Sequence, residues 1–172
     1  TYCSTSEWTA VRLDYAGRQT AMAVVVPNAG VSLATVEAGL CTSGLAGLLT
    51  RFRPAGTVHV ELPRWRFRVQ ALLNESLSTL GMPTAFDLMR ADLSAMTTQE
   101  RLYISHVLHE AFIAVDEVGT EAAAATGVVA RAMSLAPPPA LSVVADRPFM
   151  FVLFDVETTT PLFVGRVSDP TR

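Results

Sequence analysis

Residues with reactive side chains are sparse in this chain. His106 and His109, with Glu110 beside the second, offer atoms that bind metals. Residues three apart on a strand point to opposite faces, however, and no third ligand is spaced to close a zinc site. The ordinary reading is two histidines on a strand-like segment. Asp146, Arg147 and Arg166 are charges set within apolar runs. An ion pair that supports the fold, or a solvated turn, accounts for them, and they are assigned no site. Cys3 and Cys41 match neither a zinc motif nor a redox CxxC pair. There is no nucleophile elbow, no glycine loop for phosphate and no paired-carboxylate motif. The chain therefore does not read as an enzyme.

The informative stretch is residues 118–140, rich in alanine and without a large core residue except Met133 and Leu135. A loop this long inside a compact domain is either functional or a linker. Read as a linker, it is an alanine-rich connection, or a surface helix built on Ala122 to Ala125. Read with period two, it differs. Thr120, Ala122, Ala124, Thr126, Val128, Ala130 and Ala132 are all small or apolar, while Glu121, Gly127 and Arg131 fall on the opposite parity. No proline interrupts residues 118–133, so nothing blocks a ladder of hydrogen bonds. The segment is written so that it could become a strand with one buried face.

Around it lie the elements that must position it. Residues 8–13 and 21–26 are β-prone runs joined by a turn at Gly17, a hairpin. Apolar residues from Leu33 to Phe52 recur at helical spacing and predict two short helices, with Gly39 interrupting. Residues 57–69 predict a half-buried strand in which Arg64, Arg66 and Arg68 share one face, and Trp65, Phe67 and Val69 the other. A short helix follows, capped by Asn74 and stopped by Gly81. The mostly apolar run 103–115 predicts a strand covered on both faces. Residues 148–156 and 162–167 predict a second hairpin that belongs to the core.

Composition sets outer limits. The 172 residues are 50% hydrophobic, enough for one real core, and carry a formal charge of -3. The 13 basic residues are scattered rather than striped, which argues against nucleic acid as a partner. The longest uncharged apolar run, 20–26, is far short of the roughly 20 residues of a membrane helix, so no membrane partner is expected. No signal peptide is visible at the start.

Two segments carry a family resemblance. Residues 111–126, AFIAVDEVGTEAAAAT, resemble the reactive-loop hinge of inhibitory serpins, and residues 143–153, VVADRPFMFVL, resemble the serpin signature. Leu62-Pro63-Arg64, Leu80-Gly81-Met82, residues 91–94 and residues 162–167 match more weakly in the right order. The resemblance implies an α+β serpin fold, C-terminal portion, with mixed β-sheets, short helices and a long exposed reactive loop at about 118–141. Residues 1–172 would then be a partial serpin domain, a fragment of the fold or a truncated member. The missing N-terminal part would supply most helices and three strands of the large sheet.

The implied activity is inhibition of a serine protease by a suicide-substrate mechanism, without cofactor or metal. The implied hinge is Glu117, Gly119, Thr120, Glu121, Ala122, Ala123, Ala124, Ala125 and Thr126. Counting along the family's spacing from Glu117, the bond cut is Met133–Ser134, and an unbranched apolar bait suits proteases of chymotrypsin, elastase or subtilisin type. Arg131 is the rival bait, for a trypsin-like target. His109 falls where the family keeps a structural histidine behind the opening in the large sheet. The alternative is a non-inhibitory or substrate-like relative with a structural role.

Overall fold

The computed structural model describes residues 1–117 and 141–171 and contains nine strands and three α-helices among them. In chain order these are β1 (Tyr2–Ser4), β2 (Trp8–Asp14), β3 (Thr20–Pro27), α1 (Leu33–Ser43), α2 (Leu45–Leu49), β4 (Val58–Glu61) and β5 (Trp65–Leu72). They continue with α3 (Asn74–Thr79), β6 (Leu108–Val115), β7 (Leu141–Val144), β8 (Phe149–Asp155) and β9 (Pro161–Val167). The chain divides into two compact units, Thr1–Trp65 with Ala114–Arg172, and Arg66–Ile113.

The first unit is built on an antiparallel sheet of order β1-β2-β3-β8-β9. Both expected hairpins are present, but of the second only β8 belongs to the core: β9 is exposed from Pro161 to Val164 and of its residues only Val167 is buried. The first turns at Gly17 and Arg18, whose φ angles of 81° and 54° lie in the left-handed region that glycine tolerates best. β3 is central and apolar along nearly its whole length, and all but its first residue are buried.

Register places Ala10, Val25 and Met150 in one row facing the helices. There Val36 and Leu40 of α1 and Leu48 and Leu49 of α2 close the core over the small side chains of Ala10, Ala21 and Ala23. Ser32 caps α1 by accepting a hydrogen bond from the Thr35 backbone N–H at 3.1 Å. The break between the two helices falls at Gly44, whose φ is 77°, and not at Gly39, which sits inside α1.

The next row, Val11, Val24, Phe151 and Gly165, faces the other way. Here Trp65 packs on Phe149 and Phe151 with ring centroids 5.3 and 5.5 Å apart. A Cβ on Gly165 would stand 2.5 Å from Cζ of Phe151, so only glycine lets that ring lie flat across β9.

Where one strand was expected over 57–69 there are two, because Leu62-Pro63-Arg64 breaks the run and Pro63 has no N–H to give a ladder. β4 pairs in parallel with β7, and Ala145 N–H extends the contact to Glu61 O at 2.9 Å.

The second unit holds most of the β5–β6 pair, α3 and a short 3-10 turn over Pro83–Phe86. β6 begins only at Leu108, and of its residues only Ile113 is buried, whereas Leu108 is 82% exposed. The apolar run is thus a strand but is not covered on both faces among the described residues. α3 starts at Asn74, whose side chain makes no cap hydrogen bond; Leu73 holds the cap position. No helix among the described residues is long and apolar enough to cross a membrane.

Candidate functional site

Gly119, Thr120, Glu121, Ala122 to Ala125, Thr126, Arg131, Met133 and Ser134 lie outside the described residues. Of the residues singled out as hinge or bait, Glu117 alone is placed. What the fold supplies is the pair of anchors between which residues 118–140 run.

The first anchor is the end of β6. Two residues beyond Val115, the Glu117 carboxylate accepts a hydrogen bond from Nε of Arg64 at 2.6 Å. Arg64 stands just before β5, so the contact bridges the beginning of one strand and the end of its neighbour across 53 residues of sequence. Both side chains are open to water, at 74% and 66% exposure, so the pair is a screened surface contact. The Arg64 hydrogen bond holds Glu117 below the usual glutamate range, against slight desolvation and the neighbouring charge of Asp116. The alternation of arginines was legible in the sequence. The partner of Arg64 was not, since nothing local points to a residue so far along the chain.

The second anchor is β7, where the chain re-enters the fold at Leu141 beside Val58. On the outer side of β4, Nε2 of His59 and Oε1 of Glu61 lie 2.7 Å apart. Asp146 and Arg147, just past β7, form an exposed ion pair at 2.8 Å that lowers the pKa of the acid and raises that of the base. Arg166 reaches Glu37 at 3.5 Å. These three charges are ion-paired, and Arg166 and Glu37 line one pocket together with the exposed thiol of Cys41. His109 lies exposed on β6 and His106 precedes the strand, and among the described residues no group of three potential ligands could hold a metal.

The described arrangement is a pair of anchored chain ends: the chain leads out past Glu117 and resumes at Leu141 in β7.

Comparison with known proteins identifies the family. The family described as Serpin (serine protease inhibitor) matches residues 1–170. A protein named serine protease inhibitor from Cyanea capillata is 34% identical over 162 residues, covering 93% of this chain and 42% of that protein. Leukocyte elastase inhibitor A of Rattus norvegicus is 33% identical over 174 residues, covering 98% of this chain and 45% of that protein. Among solved structures, the thermophilic serpin tengpin in its native state superposes with a TM-score of 0.79 at 30% identity, over 96% of this chain and 43% of that one. The chain thus spans less than half the length of these relatives.

Proposed function

The chain belongs to the serpin family, and from that premise we propose that it carries the bait, hinge and return strand of a protease inhibitor that acts as a suicide substrate. The observation that carries this reading is the small-residue parity of residues 120–132, which follow β6 and the Glu117–Arg64 surface pair.

In the proposed reaction the protease serine oxygen attacks the carbonyl of Met133. The Met133–Ser134 bond breaks, the new amine at Ser134 takes a proton, and Met133 is left as an ester on the protease. Hydrolysis of that ester would complete ordinary proteolysis. Insertion of residues 119 onward as a strand beside β6 competes with it, carries the tethered protease along and distorts its active site before water can act. Thr120 and the alanines that follow suit this step because small side chains cost little to bury.

An apolar bait favours chymotrypsin-, elastase- or subtilisin-like targets, and a relative named leukocyte elastase inhibitor supports an elastase-like one. Mass spectrometry of the products after brief digestion with such a protease tests the assignment. A cut between Met133 and Ser134 is expected. A cut after Arg131 instead, or none within residues 118–140, overturns it.

A further inference from the structure

Asn74 does something that a helix-capping residue would not. Its Oδ1 accepts a hydrogen bond from the Val107 backbone N–H at 2.8 Å, and its Nδ2 donates to Ser105 O at 2.8 Å. Beside it, Leu73 N–H donates to Val107 O at 2.9 Å. Val107 immediately precedes β6, and Leu73 immediately follows β5. In an antiparallel ladder the acceptor for the Val107 N–H would be Leu73 O, but that carbonyl already accepts from Leu77 N–H at 2.9 Å in the first turn of α3. The side-chain carbonyl of Asn74 takes the place of that acceptor, and its amide holds the preceding turn of chain. Farther along the pair, the Glu110 carboxylate is held by Nε2 of Gln70 at 2.6 Å and by Arg68.

These bonds matter because β6 has two edges. β5 occupies one, so a strand joining β6 must add to the other. Side chains alternate along a strand, and a slip of one residue turns every buried position outward. The even positions from Thr120 to Ala132 are useful only if the register of β6 is fixed.

We propose that Asn74 is a positioning residue that fixes the register of β6 against β5, and so decides which face an inserted segment 118–140 would bury. The first part rests on the hydrogen bonds alone; the second rests on the function proposed above.

Two variants separate them. Asn74→Ala removes the acceptor of the Val107 N–H, so hydrogen exchange at Val107 accelerates about tenfold, the weight of one hydrogen bond, while amides of β3 keep their protection. Asn74→Asp keeps an oxygen facing Val107 and restores protection there. On mixing with chymotrypsin, Asn74→Ala shifts the product ratio severalfold from covalent complex towards cleaved chain, with the rate of Met133–Ser134 cleavage unchanged, and Asn74→Asp recovers part of the complex.

Unaltered exchange at Val107 in Asn74→Ala overturns the register claim. Faster exchange with an unchanged product ratio overturns its link to trapping. If the unmodified chain is cleaved but forms no complex, the proposed function and that link fail together, and the exchange data alone decide the register claim.

Discussion

Gly165 shows how much one missing methyl group can settle. Its neighbour across the sheet, Phe151, lies where a Cβ would be, at 2.5 Å from Cζ, and the same ring supports Trp65. Gly165→Ala must push that ring into a packed core, which costs about 1–3 kcal/mol. Gly47, by contrast, lies in α2 with open space around it. Gly47→Ala should stabilise slightly, by up to about 1 kcal/mol. Thermal unfolding of the two variants checks both signs; a Gly165→Ala chain as stable as the original would contradict the packing described.

The two cysteines differ in the same local way. Half-burial removes water from the Cys3 thiolate and pushes the pKa up to about 11, although Arg51 and Arg53 pull the other way. Cys41 is exposed. The thiolate is the reactive form, so a maleimide at pH 8 should label Cys41 first and Cys3 at least about tenfold more slowly. Equal labelling rates would refute the burial of Cys3. At Met133 the residue-scale expectation is oxidative: a sulfoxide makes an apolar bait polar, so peroxide treatment should slow association with an apolar-pocket protease.

At the scale of elements, the strands with clean patterns were legible and their neighbours were not. The hairpins β2–β3 and β8–β9 could be read because apolar runs and turn residues are local facts. β1, with three residues, is too short to leave a pattern. Gly39 and Gly44 look alike in sequence, and only the backbone decides that Gly44 takes the positive φ and ends α1 while Gly39 stays helical. The role of Asn74 was misread for a related reason: its partners are Ser105 and Val107, more than thirty residues away. Residues 103–115 were readable as a strand but not as to what covers it.

The Arg64–Glu117 contact is an element-scale device, since it ties the last residues beyond β6 to the residue before β5. Its pH dependence follows from the lowered pKa of Glu117. A depressed folded-state pKa gives a contribution that is full above the ordinary glutamate value of 4.5 and is lost as pH falls through the lower folded value. The tie should therefore be intact at neutral pH, release only in acid, and weaken with salt. Glu117→Lys reverses the charge and should raise hydrogen exchange at residues 114–117 at neutral pH. If exchange there is the same in the variant, the contact does not hold the end of β6.

At the scale of the whole molecule, the chain is less than half of its relatives' length, yet it contains the two anchored ends between which the proposed bait runs. Family and fold were legible because the hinge and signature segments are long, specific strings. The proposed bait rests only on counting from Glu117. The central claim is that cleavage at Met133 leads to capture of the protease and not to release. The direct test is to mix the protein with chymotrypsin, and separately with an elastase, and to run the products on a denaturing gel. The account predicts a band at the mass of the protease plus residues 1–133, resistant to denaturant because the link is an ester. Complete conversion to cleaved chain with no such band would contradict it.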